Sequence, residues 1–528
     1  MSERDGSQRE QGSDARRNRE PVSSGAGRRA PAAAAPSDER ALSAVRRRPD
    51  LVFWTVLATT ALGILLGYLA KTPCTGPTFD QFGISPNLGL HKYDKLCYSD
   101  VQQLWVGRGV PEHTFPYLHG KLVDDPNQPQ GNLVGGAVEY PIVTGVFMWF
   151  AGLFARNDAD YLRVTALLLA PFGLLTAGML AKLSGRRAFI WAAAPALVLY
   201  SVHNWDFLAT AAVVGAVWAW SRGRPGLAAA LLGLGAATKI YPGFFALPLL
   251  LERLYVRDVR GAARVVAGTA GVWLLINLPF ALANPDGWWA TYAFQARRAA
   301  DLTTNSIWYW GFPDLSPSTV DRWSFALIAL SWLAALVAGW RLAGRTGRYP
   351  WLQVSAAMLC SFLLFNKVYS PQYVLWLLPF FVLLRIRWGW WVSYLAVDVL
   401  LYVGLFRWYY DITQGGDFGL AKQAAVLGVW AKAVLLALLY VVFLCSSPSI
   451  RSGPPPDLTP GRTPGSISGP RSSARSSTPP AGSSSAAPPG RSGIRTTSSS
   501  GRSTSRTTSA TSASTARSRS STAPKNHS

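Results

Sequence analysis

The stretch "LVFWTVLATTALGILLGYLA", residues 51–70, constrains the fold of this chain more than any other. It carries no charge, and an apolar helix of about 20 residues spans the roughly 30 Å hydrocarbon core of a bilayer. It lies behind 50 polar residues and lacks the short apolar core and small-residue cleavage site of a secretory signal, so it reads as a first span. Composition agrees. Of 528 residues, 49% are hydrophobic and 15% charged, where a soluble domain carries roughly a quarter charged.

Further apolar runs predict spans near 161–182, 188–202, 207–220, 226–238, 242–253, 263–282, 323–340, 351–366, 372–386, 389–406 and 420–445. Loop charge sets their register, because short loops rich in Lys and Arg stay cytoplasmic. With Arg46, Arg47 and Arg48 inside, the inner loops become "KLSGRR", "SRGRPG", "ERLYVRDVRGAAR", "RLAGRTGR" and "RIR", all basic. The outer loops then hold Asp158, Asp160, "HNWD", "KIYP", the long 284–322 segment, "NKVYSPQY" and "RWYYDITQGGDFG". One run breaks the alternation. "EYPIVTGVFMWFAGLFA" (139–155) would invert everything after it, so it reads as an interfacial or re-entrant helix on the outer face, with Pro141 in its first turn.

The expected fold is an all-α polytopic membrane protein of about twelve transmembrane helices. Its glycine-, alanine- and serine-rich tails, 1–50 and 446–528, read as disordered and cytoplasmic, flanking a membrane domain over 51–445. Within that domain, 71–160 forms a long first extracytoplasmic loop with juxtamembrane helices. The cell membrane is the expected location, with both termini inside.

The net charge of +23 raises the question of nucleic acid. Its distribution answers it. The tail 446–528 has eleven Lys and Arg against Asp457, and the head 1–50 has eleven against eight acids. No aromatic residues interleave with the tail arginines, so the reading is attraction to anionic lipid, with no nucleic-acid partner.

The polar residues worth weighing fall on the outer side. In "KLCYSDVQQLW" (95–105), Tyr98, Val101 and Trp105 recur at helical spacing, and Asp100 sits near the helix start. There the dipole alone favours a carboxylate. Asn204 and Asp206 in "HNWD" read either as helix caps or as site residues. Lys239 follows one apolar run and precedes a Pro-started helix; it either snorkels to headgroups or meets a phosphate at free helix amides. Lys367 in "NKVYSPQYVLW" repeats that arrangement. Arg297 and Arg298 are outer arginines against the charge bias, and guanidinium forks suit phosphate oxygens. Cys74 and Cys97 share the first outer loop and form the candidate disulfide; no cysteine spacing suggests zinc. A carboxylate to take an acceptor proton and cations to meet a departing phosphate are the parts a lipid-phosphate transferase needs.

The acidic first loop, then "EYP", "HNWD", "GLGAATKIYPGFFALPLLL" and "VYSPQYVLWLLPFF", in this order, resembles the polyprenol-phosphate-mannose-dependent membrane glycosyltransferases of family 87, with the C-superfamily fold. The "KIYP" turn is also similar to that of the catalytic subunit of GPI mannosyltransferase I. The resemblance covers roughly 51–445. It implies inverting transfer of a hexose, usually mannose, from a β-linked polyprenyl-phosphate sugar to a glycan, glycolipid or protein acceptor outside the membrane. The family's first-loop aspartate maps onto Asp100 as general base, with Asp94 as its understudy. Lys239 and Arg297 or Arg298 would hold the donor phosphate, and Tyr241 and Tyr369 would line the sugar site. Glu139, Tyr140, Asn204, Asp206, Lys367 and Gln372 complete the expected substrate-binding set. Many C-superfamily members carry two acids with one residue between them; "YSD" has one. The expectation is therefore no metal ligand and no obligatory cofactor, a divalent cation being left open. The alternative class is a lipid-linked saccharide flippase, for which Asp398 is the clearest mid-span acid. A scaffold working through its tails is the third reading.

Overall fold

The computed structural model describes residues 37–416 and 419–450. Most of the expected tails, 1–36 and 451–528, lies outside the described residues.

The fold is mostly helical. Among the described residues, six helices are long and apolar enough to cross a membrane: Asp50–Cys74, Asp158–Ala192, Val259–Ala283, Pro317–Thr346, Trp388–Thr413 and Leu420–Leu444. At 1.5 Å per residue even 25 residues extend for roughly 37 Å. Local signals set their ends. The Asn157 side chain accepts from the Asp160 amide at 2.8 Å, and Ser316 and Asp258 cap the helices at Pro317 and Val259 in the same manner. Gly347 ends Pro317–Thr346 in the left-handed conformation, φ 73°, which a Cβ would strain.

The other six expected spans fold as shorter pieces. The run 207–220 becomes Asp206–Ser221, 226–238 becomes Pro225–Ala236, 351–366 becomes Trp351–Phe365, and 372–386 becomes Pro371–Leu383. The 242–253 run divides into Tyr241–Phe244 and Ala246–Tyr255. The 188–202 run becomes Phe189–Ala192 and Pro195–Tyr200, and a 3-10 turn over Gly185–Ala188, entered through Gly185 at φ 60°, makes "KLSGRR" a tight corner. Prolines at helix starts (Pro195, Pro225, Pro371) and the polar "HNWD" and "KIYP" turns cut these runs short. The longest, 16 residues, extends for only about 24 Å.

Burial divides the two groups. Every residue of Val374–Leu383 is buried, as is nearly all of Asp206–Ser221. The long helices instead present apolar side chains outward: Leu275, Leu282 and Phe325 are each about three-quarters exposed. Flanks of that kind suit lipid, since soluble surfaces do not carry apolar bands of this extent. Between helices, packing relies on close approach rather than on water exclusion. A Cβ on Gly233 would lie 2.4 Å from the Thr269 carbonyl oxygen, and the Thr269 hydroxyl donates to the Ala229 carbonyl at 3.1 Å.

The run 139–155 forms the helix Ile142–Gly152, 11 residues and well short of the bilayer core. The first loop is folded. Cys74 and Cys97 are joined by a disulfide, both fully buried. The Gln102 amide donates to the Cys74 carbonyl and to the Asp158 carboxylate, each at 3.0 Å, and the Trp105 indole donates to the Phe82 carbonyl at 3.0 Å. The expectation of an all-α chain needs one correction. Lys121–Asp125 and Gln128–Val134 form an antiparallel hairpin, pairing Lys121 with Val134 and Val123 with Asn132. Its turn is built by Asp125, which accepts from the Asn127 amide. A second, two-residue pair joins Leu384–Arg385 to Ser447–Pro448.

Candidate active site

The helix Asp100–Gly107 is fixed before its carboxylate is considered. Val101 and Trp105 face inward, as their spacing predicts, while Tyr98 precedes the helix. The Ser99 hydroxyl, in the N-cap position, donates to the Val202 carbonyl at 2.7 Å, and the Asp100 amide donates to the His203 carbonyl at 2.9 Å. The helix start is thereby sewn to the "HNWD" turn. The Asp100 side chain does not cap its own helix. Its oxygens accept from the Tyr98 hydroxyl at 2.8 Å, the Asn204 amide at 2.7 Å and, at the long limit of 3.5 Å, the Gln372 amide.

Asn204 is the hub. Its Nδ2 donates to Asp100 and, at 2.7 Å, to the Tyr140 hydroxyl; its Oδ1 accepts from Lys239 Nζ at 3.0 Å and from the Trp205 amide at 2.7 Å. Lys239 also meets Asp206 at 2.6 Å, and the Trp376 indole donates to the same Asp206 oxygen at 2.6 Å. The rings of Tyr140, Tyr373 and Trp376 surround the ammonium at 5.5–6.0 Å. Tyr241, Trp376 and Tyr373 form one stack, with centroid spacings of 4.2 and 3.8 Å. "EYP", "HNWD", "KIYP" and "SPQY", far apart in sequence, thus meet Asp100 in one place.

Electrostatics narrow the roles. Burial pushes the Tyr98 and Tyr140 hydroxyls well above their usual range, and the Asp100 charge adds to both shifts. Both stay protonated; Tyr98 donates to Asp100, while Tyr140 accepts from Asn204. Burial lowers His203 well below its ordinary value, with Lys71 adding to the effect, so its imidazole is neutral at pH 7. Asp206 is engaged by Lys239 and Trp376. Asp100, half-buried, is hydrogen-bonded by neutral donors only.

The remaining expected residues are dispersed. Asp94 pairs with His91 at 3.4 Å and lies near Lys95, outside the Asp100 network. Glu139 is held in a two-pronged contact by Arg108, at 2.5 and 3.2 Å. Arg297 pairs with Asp124 of the hairpin at 2.6 Å, and Lys367 with Asp321 at 2.6 Å. Arg298 donates to the Thr303 hydroxyl at 3.3 Å and lies within electrostatic reach of Tyr373. Tyr241 is fully buried beneath Trp376. Tyr369 packs against Lys432, which pairs with Asp398. The mid-span acid of the transport reading thus has its own buried cation. Among the described residues, no three His, Cys, Asp or Glu side chains gather as a metal site.

Three residues in or near the site were missed. Trp376 sits in the quoted "SPQYVLW" but reads there as an apolar helix wall. Arg108 lies one residue past the helix and has no motif of its own. Lys71, at the end of the first span, stands in no motif, yet it is 1% exposed and donates to the Tyr402 hydroxyl at 2.9 Å.

Long lipid-facing helices around a buried polar site define a multi-pass membrane protein. Residues 139–366 match the model of glycosyltransferase family 87. That segment includes Tyr140, Asn204, Asp206, Lys239 and both arginines. Asp100, Lys367, Tyr369 and Gln372 lie outside the matched segment. No curated protein matches the chain. Among solved structures, the crystal structure of ArnT from Cupriavidus metallidurans bound to undecaprenyl phosphate aligns with 14% identity, over 74% of this chain and 76% of that one, at a TM-score of 0.37.

Proposed function

We propose that the protein transfers a hexose, mannose by the family resemblance, from a β-linked polyprenyl-phosphate sugar to a hydroxyl of a cell-envelope acceptor, with inversion. The observation that carries the reading is the Asp100 carboxylate, held by Tyr98 and Asn204 and half-open to its surroundings. In the reaction the acceptor hydroxyl gives its proton to Asp100, and its oxygen attacks the anomeric carbon from the face opposite the phosphate. The bond from that carbon to the phosphate oxygen breaks, and the electron pair leaves with polyprenyl phosphate. Orientation of the two substrates and proton removal are the main contributions.

A cation must meet the departing phosphate. Lys239, Arg297 and Lys367 each face a carboxylate already. Arg298, for which no carboxylate partner appears among the described residues, is the one we assign to this role. The reaction runs on the outer face of the cytoplasmic membrane, with both tails inside and without an obligatory metal. Purified protein given polyprenyl-phosphate-mannose and envelope acceptors should form an α-linked product, identified by NMR, and keep that activity in EDTA. Retention of the β-configuration, or no transfer to any envelope fraction, contradicts the reading.

A further inference from the structure

We propose that Lys239 and Asp206 are positioning residues that hold Asp100 in its working geometry through the Asn204 amide. The inference rests on the reading above but assigns Lys239 away from the donor phosphate.

A primary amide has two ends of nearly equal size, and its orientation is set by the groups it meets. At Asn204 those groups are sorted by charge. Oδ1 faces two pure donors, the Lys239 ammonium at 3.0 Å and the Trp205 amide at 2.7 Å. Nδ2 faces the Asp100 carboxylate and the Tyr140 hydroxyl, both at 2.7 Å. Turning the amide over would set NH2 against an ammonium and a carbonyl against a carboxylate. Lys239 therefore locks the direction in which Asn204 presents its donors.

Lys239 is itself locked. Asp206 Oδ1 meets it at 2.6 Å, and the Trp376 indole holds that oxygen from the other side at 2.6 Å. The lysine side chain is 8% exposed and the aspartate not at all. The aromatic stack closes the remaining side. A phosphate would have to displace a buried carboxylate to reach this ammonium, and that exchange leaves Asp206 as an unpaired buried charge. The chain builds the lock from turns. Lys239 leaves the end of Pro225–Ala236 with its amide bonded to the Gly235 carbonyl at 2.8 Å, and Asp206 opens the helix Asp206–Ser221.

The test is a steady-state and binding comparison on the full-length protein in lipid nanodiscs. Polyprenyl-phosphate-mannose serves as donor, and polyprenyl phosphate serves as the binding probe. Lys239→Met should lower kcat by about 10- to 100-fold, the range for a displaced catalytic group. Donor KM and the Kd for polyprenyl phosphate should stay within about twofold, below the roughly tenfold that a lost charge-assisted contact costs. In an Asn204→Leu background, Lys239→Met should have no further effect on kcat. Should Lys239→Met fail to fold, the Lys239→Met/Asp206→Leu variant removes both charges and should show the same split. A tenfold rise in KM or Kd with kcat retained makes Lys239 a phosphate ligand and overturns the proposal, as do independent effects of the Asn204 and Lys239 substitutions. A wild-type protein that binds the probe but transfers nothing overturns the reaction itself, and this inference with it.

Discussion

Asp100 owes its geometry to neighbours that cannot compete for its proton. Tyr98 stays a donor because burial and the carboxylate both raise its hydroxyl. Tyr98→Phe removes one of the bonds at Asp100, and transfer should fall by about tenfold, the cost of roughly 1.5 kcal/mol for a hydrogen bond to a charged group. Thermal melting of the variant should change little. His203 tests the electrostatics from another side. Its folded-state value lies below the ordinary 6.5, so the folded protein resists the proton that the unfolded chain accepts. Stability is then full above about pH 6.5 and declines as pH falls below it. In His203→Gln the melting temperature should fall less between pH 7 and pH 5 than in the wild type; an equal fall would assign the acid sensitivity elsewhere. Much of this site was legible in the sequence. Counting spans placed Tyr140, Asn204, Asp206, Lys239 and Gln372 on one face with Asp100, and the structure brings them together. Their pairing was not legible. Asp206 and Lys239 lie 33 positions apart, and only folding sets one against the other.

At the scale of elements, long charge-free runs were readable because nothing else satisfies a lipid-embedded backbone. The short buried helices were harder. Inside the bundle a run of 10 to 16 residues looks like a truncated span, since neighbouring helices rather than length decide its burial. The hairpin over 121–134 was missed because its turn, "DDPNQ", joins strands too polar to alternate. Gly233→Val places side-chain atoms against the Thr269 backbone and should cost about 1–3 kcal/mol of stability by overpacking, read as a lower melting temperature in detergent. Breaking Cys74–Cys97 by a Cys74→Ser/Cys97→Ser double substitution opens a link across 23 positions and should cost about 2–4 kcal/mol. Because Cys97 precedes Asp100 by only three positions, transfer should fall along with melting. Unchanged transfer would mean that the Ser99 and Asp100 bonds to residues 202 and 203 suffice to place the helix.

Among the described residues, long helices present apolar side chains outward, short ones are buried, and Asp100 sits in the loop between the first two long helices. The chain just past its last long helix is part of this body. The Ser449 hydroxyl donates to the Val382 carbonyl at 2.6 Å, and Ser447–Pro448 pairs with Leu384–Arg385. Truncation after Ile450 should leave transfer within about twofold of the full chain, whereas truncation after Leu444 removes these bonds, each worth about 1 kcal/mol, and should lower melting. A scaffold acting through its tail would behave in the opposite way. The proposed reaction turns on a single atom pair, the acceptor hydroxyl and the Asp100 carboxylate. Asp100→Asn keeps the shape of the side chain and removes its ability to take a proton. Measured on protein with wild-type melting and wild-type affinity for polyprenyl phosphate, it should lower kcat by about 10²- to 10⁴-fold, the range for loss of a general base. Transfer at the wild-type rate by that variant would contradict the mechanism.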